Sequence, residues 1–413
     1  MKALVLKGRG KIAYIDKAEP KLLEEHGVLL EPVLVSPCTS DVHTIWQGSP
    51  KRDDLTLGHE VIARVRKAGT GVKDFKPGEI VAVSAITPDW SQPDVDLNYA
   101  HAGHNFSAHM IGKSIDGAFQ SVFYLPYADK NLAHIPEGMS LEDALMCVDV
   151  VQTGFTAVEE AGVKSGDTVV VMGIGAIGLA AIMGSKLAGA SRIFAVGSRE
   201  DNVRIAESMS DRNCRVEVLN YKTLNCDLPE GMHPLANSTG SSVVNYVLSE
   251  TGTKGADKVL ICGGNDYSFP QAVDMVKYGT GVVANVMYYG ADTDVQDEEY
   301  RNLTNDMKDP DNASPETDDP REKKRTNTVI DSIQIPKFSM GRGMAGKTLK
   351  FSLSKGGREN LERVMKLIGE NDLHPSVFIT ERYSGIDKIE QAIYDMKDRK
   401  AIKIAVELNG ISC

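Results

Sequence analysis

Short apolar runs separated by glycine and proline fill roughly the first third of the chain. The clearest of them are VLLEPVLVS, EVIARVRKAG, KPGEIVAVS and GAFQSVFYLP. Runs of this length between turn residues are typical of β-strands. The later segment LEDALMCVDVVQTGFTAVEEAG has helical spacing instead. The pattern therefore predicts a β-rich N-terminal region that is followed by helices.

Apolar runs alternate with helical segments in the middle of the chain. DTVVVMGIGAIGLAAIMGSKLAGA has the pattern of a strand, a glycine turn and a helix, and RIFAVGSR, ADKVLICGG and TGVVANVMYYG are further apolar runs. This alternation predicts an α/β fold, a doubly wound parallel sheet with crossover helices, over residues 153–340. A chain of 413 residues is long enough for two domains. We expect residues 1–152 and 341–413 to form a second, β-rich domain.

Two polar segments interrupt this alternation, at residues 221–242 and 292–325. The second contains twelve Asp and Glu residues against six Lys and Arg residues, so it carries −6 of the net charge of −11. Segments of low apolarity and high charge bury too little surface to become ordered. Both are predicted to be solvated insertions, with an arm that binds a partner as the alternative.

Charge and hydropathy exclude several classes of function. A net charge of −11, a pI near 5.4 and the lack of a long Lys/Arg run argue against nucleic-acid binding. The N-terminus MKALVLKGRGKIAYID lacks a signal-peptide core, and no apolar stretch is long enough to predict a membrane span. The six cysteines show no paired spacing, which suits a reducing compartment. We expect a soluble cytoplasmic protein.

A glycine-rich turn predicts a dinucleotide site. Gly173, Gly175 and Gly178 form G-x-G-x-x-G between an apolar strand and a helix, with Ala176 and Ile177 inside the motif. The first glycine permits the tight turn, the second lets the backbone approach a pyrophosphate, and the third allows close packing of the helix. The helix N-terminus attracts the phosphates.

The end of the next predicted strand bears on the choice of cofactor. NAD binding calls for an acidic residue there, but RIFAV is followed by Gly197, Ser198 and Arg199. A glycine removes the carboxylate that would repel a 2′-phosphate, and the hydroxyl and guanidinium supply donors for it. The sequence therefore favours NADP. The alternative is that Glu200 or Asp201 binds the ribose, although both are better placed for the N-terminus of the next helix.

Four residues have the side chains of a catalytic zinc site. Cys38 is followed by His59 and Glu60, and Asp149 lies far downstream. A thiolate, an imidazole and one or two carboxylates are a mixed ligand set that leaves a position for water or substrate. The spacing alone leaves other roles open, because Cys38 could be a nucleophile or a buried thiol, and the others could be structural.

Seven motifs together carry a resemblance to a known family. PCTSDVHT, LGHE, KDFKPGE, TPDW, VDVVQTGF, GIGAIG and VGSR occur in this order and at nearly the spacing of the zinc-dependent medium-chain alcohol dehydrogenases. The chain most resembles their NADP-dependent secondary alcohol (isopropanol) subgroup, and the likeness covers almost the whole chain outside the two insertions. It implies a GroES-like catalytic domain with an inserted Rossmann domain, and a small alcohol or ketone as substrate.

The resemblance implies specific roles near the metal. Cys38, His59 and Asp149 would bind a catalytic Zn²⁺, with Glu60 as an exchanging fourth ligand or as a carboxylate beside the metal. The subgroup has aspartate, as here, where many relatives have a second cysteine. A thiolate bound to zinc is no longer a nucleophile, so this reading disfavours nucleophilic catalysis by Cys38.

The resemblance also implies a proton path, a cofactor site and an assembly. Ser40 and His43 match residues that carry the alcohol proton outward, and Ser198, Arg199 and Tyr221 match a 2′-phosphate site. The relatives are usually homotetramers. Other functions remain open at this stage: a zinc polyol or amino-alcohol dehydrogenase on the same scaffold, or an NADP-binding protein that has lost catalysis.

The chain departs from many relatives in two regions, and His109 in the first and Arg342 in the second fall near the expected substrate pocket. The structural zinc lobe of many relatives is missing, and His101, His104 and His109 occupy that region, where we expect loop histidines rather than a second metal site. Arg342 stands where relatives have a small residue. It could bind an anionic substrate, or it could face solvent or a subunit interface.

Overall fold

The structure is a computed structural model that describes residues 1–46, 54–88, 90, 111–228, 230, 241–265, 267–287 and 344–408. The acidic segment 292–325 lies outside the described residues, as do residues 231–240 of the other insertion. The four residues named above for the departures from the family are also outside them, namely His101, His104, His109 and Arg342.

Mostly antiparallel pairing organises the β-rich domain into two sheets. Its strands are β1 (Lys2–Gly8), β2 (Lys11–Asp16), β3 (Val28–Ser36), β4 (Leu55–Thr56), β5 (Glu60–Ala68), β6 (Ile80–Val83), β7 (Phe123–Leu125), β8 (Leu132–His134), β15 (Ile379–Ser384) and β16 (Lys403–Glu407). The small sheet has the order β2-β1-β4, and the large one has the order β15-β16-β3-β5-β6-β8, with β7 also paired to β3. Both ends of the chain therefore contribute to one sheet.

The predicted doubly wound parallel sheet is confirmed in the middle of the chain. Its elements are β9 (Thr168–Met172), α5 (Ala176–Leu187), β10 (Arg192–Val196), α6 (Glu200–Ser208), β11 (Arg215–Leu219), α7 (Ser242–Glu250), β12 (Lys258–Ile261), α8 (Ser268–Met275), β13 (Val282–Asn285) and β14 (Thr348–Phe351). The strands are parallel in the order β11-β10-β9-β12-β13-β14. Buried apolar side chains from these strands pack against helices on both faces.

The sixth strand of the Rossmann sheet lies beyond residue 340, where the sequence predicted that this domain ends. β14 pairs in parallel with β13, with Val282 opposite Thr348, so the Rossmann sheet continues to Phe351. The strand lies at the sheet edge, and most of its side chains are exposed. Its sequence TLKF therefore lacks the apolar run that marks a buried parallel strand, and the pattern did not assign it to this sheet.

Helices connect the two domains and flank the site. They are α1 (Thr39–Trp46), α2 (Ala128–Asn131), α3 (Leu141–Met146), a π-helical turn (Cys147–Val151), α4 (Gln152–Ala161), α9 (Gly357–Glu370) and α10 (Ile389–Lys397). The helical spacing read from LEDALMCVDVVQTGFTAVEEAG is confirmed, although the π-helical turn in its middle was not predicted. None of the helices in the described ranges has both the length and the apolarity to span a bilayer.

Candidate metal and cofactor site

Pairing between β3 and β5 brings the first predicted metal ligands together. Ser36 at the end of β3 lies opposite Glu60 at the start of β5. Cys38 follows β3 by two residues and His59 precedes β5 by one, so both side chains reach the same end of the sheet. Gly58 has a φ of +96°, and a Cβ there would lie 2.5 Å from the ring of Phe119. The turn that delivers His59 therefore requires glycine.

Asp149 reaches the same place from the π-helical turn. Its Oδ2 lies 3.6 Å from Cys38 Sγ and 3.8 Å from His59 Nε2. One potential ligand atom from each of Cys38, His59, Glu60 and Asp149 lies within 4.8 Å of the others. Four residues that are up to 111 positions apart are thus close enough to share one metal ion. A thiol, an imidazole and two carboxylates suit zinc.

Asp41 is a functional residue that the sequence reading missed. Its Oδ1 lies 3.4 Å from His59 Nδ1, and its Oδ2 accepts a hydrogen bond of 2.9 Å from the backbone N–H of Cys38. A carboxylate on the far nitrogen of a ligating histidine fixes the ring orientation and raises its basicity. Asp41 lies inside PCTSDVHT, so its position was available, but its contact with His59 depends on the fold.

Lys403 is the second residue that the sequence reading missed. Its Nζ donates to Glu60 Oε2 at 2.6 Å and to the carbonyl of Pro37 at 2.9 Å, and both charged side chains are almost fully buried. Because β16 pairs with β3, with Val406 opposite Val35, the start of β16 lies beside the end of β3. No signal in the sequence separates this lysine from a surface one. The other oxygen of Glu60, Oε1, is buried and has no hydrogen-bond partner among the described residues.

The packed charges shift the acidities of these groups. Burial and the carboxylate of Glu60 raise the pKa of the Cys38 thiol. Burial alone would lower the pKa of His59, but Asp41, Asp149 and Cys38 together outweigh burial, and that pKa lies well above its usual value. Burial raises the pKa of Glu60 to about 7, although Lys403 opposes the change. The ligands of the metal-free protein therefore hold their protons more tightly than free side chains do.

The two residues of the predicted proton path both lie on α1. Ser40 Oγ is 3.2 Å from His59 Nε2, and the backbone N–H of Ser40 points to Cys38 Sγ at 3.5 Å. His43 follows one turn later on the same helix and is half-buried. The Ser40 hydroxyl thus lies beside the ligand cluster, and His43 lies further along the helix towards solvent.

The glycine motif forms the turn between β9 and α5. Gly173 has a φ of +81°, and a Cβ on Gly178 would lie 2.0 Å from the Gly173 carbonyl. At Gly175, which caps α5, the nearest atom to such a Cβ is Arg199 Nη2 at 4.0 Å. Ala176 and Ile177 form the first turn of α5. The turn is thus closed where the helix packs and open at Gly175, which is the shape that a bound pyrophosphate needs.

The predicted 2′-phosphate residues follow the ends of the neighbouring strands β10 and β11. Gly197 and Ser198 follow β10, and Arg199 caps α6, whose first turn contains the two acidic residues of the NAD alternative. Tyr221 follows β11 and is 56% exposed. A Cβ at position 197 would lie 2.1 Å from the Ile174 side chain, so packing is an additional reason for this glycine.

Arg399 joins this group from the β-rich domain, and the sequence reading missed it. It lines one pocket together with Arg199, and its φ is +58°. Partial burial, followed by the charge of Arg399, lowers the pKa of Arg199, while Tyr221 opposes that change. Neither arginine forms an ion pair with the described residues. Two neighbouring unpaired guanidinium groups suit an anion.

Comparison with known proteins shows the family. Residues 24–137 match the alcohol dehydrogenase GroES-like domain, and residues 176–304 match the zinc-binding dehydrogenase family. The chain is 35% identical over 403 residues to the NADP-dependent isopropanol dehydrogenase of Entamoeba histolytica, covering 97% of this chain and 93% of the relative. The chain belongs to the zinc-binding medium-chain alcohol dehydrogenase family. It is also 34% identical to the NADP-dependent isopropanol dehydrogenase of Clostridium beijerinckii over 97% of each chain.

The fold of this alcohol dehydrogenase also matches solved structures. An alcohol dehydrogenase from Thermus superposes with a TM-score of 0.74 at 21% identity, over 99% of this chain and 100% of the other. The predicted family and the predicted two-part architecture are thereby confirmed. As a member of the family, the chain is a zinc-dependent oxidoreductase that acts on alcohols or carbonyl compounds.

The contact between Asp41 and His59 yields a first prediction. We expect Asp41→Asn to weaken zinc binding about 10- to 100-fold, because the amide removes the charge that raises the basicity of His59. Competition with a chromogenic chelator measures the affinity. Asp372→Asn is the control, since that side chain is 97% exposed and remote from the cluster. Equal affinities in the two variants would contradict the role of Asp41.

The raised pKa values yield a second prediction, for metal uptake. The Cys38 thiol and the His59 imidazole both have raised pKa values, so they keep their protons at neutral pH in the metal-free alcohol dehydrogenase. Zinc binds the deprotonated forms, so uptake releases protons and the apparent affinity rises with pH, about tenfold per pH unit for each proton released. Chelator competition at pH 6, 7 and 8 measures this slope. A flat profile would contradict the prediction.

Proposed function

We propose that the protein is an NADP-dependent secondary alcohol dehydrogenase, which transfers hydride between NADP(H) and a small secondary alcohol or its ketone. The observation that carries the proposal is the buried cluster of Cys38, His59, Glu60 and Asp149, with ligand atoms within 4.8 Å of one another. The names of the Entamoeba and Clostridium relatives support the substrate and the cofactor.

The ligand cluster fits a zinc ion in its chemistry and in its unsatisfied atoms. We propose that Cys38, His59 and Asp149 are the resident ligands. One thiolate and one carboxylate would balance the two charges of Zn²⁺, so the centre would be neutral before Glu60 binds. The unpartnered, buried Oε1 of Glu60 supports a cation nearby, because a buried carboxylate oxygen without a partner is costly. The same arrangement explains why Cys38 would not act as a nucleophile.

Lys403 supports the role of Glu60 as an exchanging ligand. The ion pair holds Oε2 of the carboxylate, which leaves Oε1 as the oxygen that can approach the metal. Glu60 would therefore bind through one oxygen and could leave without losing its buried partner. Removal of Lys403 would strand the charge of Glu60 in the interior, which is strongly destabilising.

Two residues of the chain, Ser40 and His43, would form the proton path of the reaction. When bound, zinc supplies a Lewis acid for the substrate oxygen, and the nicotinamide supplies or accepts hydride. Ser40 lies beside His59 at 3.2 Å, and its hydroxyl would exchange the proton of the substrate oxygen. His43 on the same helix would pass that proton towards solvent.

Arginine placement supports NADP rather than NAD. Arg199 reaches over the open side of the glycine turn, and Arg399 approaches the same pocket from the other domain. A 2′-phosphate would bridge these unpaired cations, and Ser198 and Tyr221 offer further hydroxyl groups. Gly173, Gly175, Gly178 and the first turn of α5 would hold the pyrophosphate. The homotetramer remains a prediction from the resemblance, and the cytoplasmic location remains a prediction from the N-terminus and the cysteine spacing.

Metal analysis together with turnover tests the main proposal. We expect the purified protein to bind about one zinc at this cluster and to oxidise NADPH with small ketones such as acetone. We expect Cys38→Ala to lose the metal and the turnover together, because the Cys38 thiolate is a proposed zinc ligand. If the thiol were only structural, the variant would keep both. Polyols or amino alcohols as the better substrates would favour the alternative dehydrogenase. A protein without zinc and without turnover would favour the catalytically inactive alternative.

Substitution of the two arginines tests the cofactor assignment. We expect Arg199→Asp and Arg399→Met each to raise the KM for NADPH about tenfold or more, with little change for NADH, since each removes a charge-assisted bond to phosphate. Arg215→Met is the matched control, because Arg215 is the first residue of β11 and the cofactor turn lies at the other end of the parallel strands. An unchanged ratio of kcat/KM for NADPH and NADH would overturn the assignment.

A further inference from the structure

Asp149 is the middle residue of a turn that is wider than an α-helix. The π-helical turn Cys147–Val151 interrupts the segment between α3 and α4. There the carbonyl of Val148 accepts two hydrogen bonds, from the backbone N–H of Ala85 at 3.2 Å and from Gln152 Nε2 at 2.7 Å. A single π-helical turn in a helix costs backbone hydrogen bonds and is found often at functional sites. Here it directs the Asp149 carboxylate to the metal ligands.

A directional series of hydrogen bonds ends at this turn. Arg363 Nη2 donates to Asn360 Oδ1 at 2.8 Å, Asn360 Nδ2 donates to Gln152 Oε1 at 2.6 Å, and Gln152 Nε2 donates to the carbonyl of Val148. A guanidinium can only donate and a carbonyl can only accept, so the orientation of both amides is determined from the two ends. Asn360 and Arg363 lie on α9, which follows the last strand of the Rossmann sheet.

Burial gives this series energetic weight. Gln152 is 1% exposed and Asn360 is 8% exposed, so water does not compete for their amide groups. A buried hydrogen-bond network that is fully satisfied makes one arrangement of its backbone much more favourable than others. Thr153 then adds a direct contact, because its Oγ1 donates to Asp149 Oδ1 at 3.2 Å. The neighbouring Oδ2 remains directed at Cys38.

We propose that Gln152 and Asn360 are positioning residues for Asp149: they hold the π-helical turn open, and so set the place of its carboxylate among the zinc ligands. Gln152 acts through its bond to the carbonyl of Val148, and Asn360 acts through Gln152. The inference rests on the proposed zinc site. A metal site tolerates only small displacements of its ligands, so a turn that relaxes to ordinary α-helix would move Asp149 out of range.

Removal of the Gln152 amide tests this inference against a matched control. We expect Gln152→Leu to weaken zinc binding at least about tenfold and to shift the visible absorption of the cobalt-substituted protein, because Asp149 no longer holds its place. The control is Thr156→Val, which removes a buried hydrogen bond of 2.8 Å to the backbone carbonyl of Gln152 but leaves the Gln152 side-chain amide and its bond to Val148 in place. We expect it to lower thermal stability while leaving zinc affinity within about twofold and the cobalt spectrum unchanged.

A second variant keeps the test decisive if Gln152→Leu does not fold. Asn360→Asp retains the acceptor for Arg363 but has no donor for Gln152, so the Gln152 amide turns and presents its oxygen to the Val148 carbonyl. We expect the same cobalt shift and a similar loss of zinc affinity from this position. Circular dichroism and thermal unfolding establish that each variant is folded before metal is added.

The outcomes separate this inference from the proposed function. Zinc affinity and cobalt spectra of Gln152→Leu and Asn360→Asp that equal those of the unchanged protein would overturn the positioning role alone. An equal loss in Thr156→Val would also overturn it, because the effect would then reflect stability. If the unchanged protein binds no zinc or cobalt, the proposed function fails, and this inference fails with it.

Discussion

The pairing of β3 with β5 is the constraint on which the site depends. The register that places Ser36 opposite Glu60 brings the turn after β3 beside the turn before β5, and so brings Cys38 beside His59. A slip of one residue would direct each of these side chains to the other face of the sheet. The register shifts twice earlier in the ladder, between Leu29 and Leu30 and between Pro32 and Leu34, and is regular from Leu34 to Ser36. The metal ligands are therefore a consequence of sheet register.

Buried charges near the ligands are arranged as partners rather than as isolated groups. Asp41 lies against His59, and Lys403 lies against Glu60, so two of the four ligands have a counter-charge in the interior. Burying one member alone would cost several kcal/mol, about 3–5 by comparison with other proteins. The cluster is thus costly to build without its partners, and it retains one carboxylate oxygen without a hydrogen-bond partner among the described residues, which a bound cation would satisfy.

The two domains meet through elements that are distant in sequence. The C-terminal strand β16 brings Lys403 to the metal ligands, and the turn before it brings Arg399 to the pocket of Arg199. After β14 completes the Rossmann sheet, α9 returns to the helical segment that contains Asp149 and bonds to Gln152. The cofactor pocket and the metal ligands are consequently connected by the same C-terminal region, which belongs to neither site alone.

The local pattern of residues along the chain was enough to predict the fold class and the position of the dinucleotide turn. Apolar spacing predicted the α/β architecture, and the glycines between β9 and α5 predicted the dinucleotide turn, because each depends on neighbouring residues. The metal ligands are up to 111 positions apart, and their prediction rested on the side-chain types together with the resemblance. Only the tertiary structure decided the rest. Lys403 is 343 positions from Glu60, and TLKF gave no sign that it pairs at the edge of the Rossmann sheet. The π-helical turn at Asp149 also escaped the pattern, because helical spacing does not reveal a single wide turn. Contacts of this kind depend on which distant segments share a buried space, and periodicity along the chain carries no information about that.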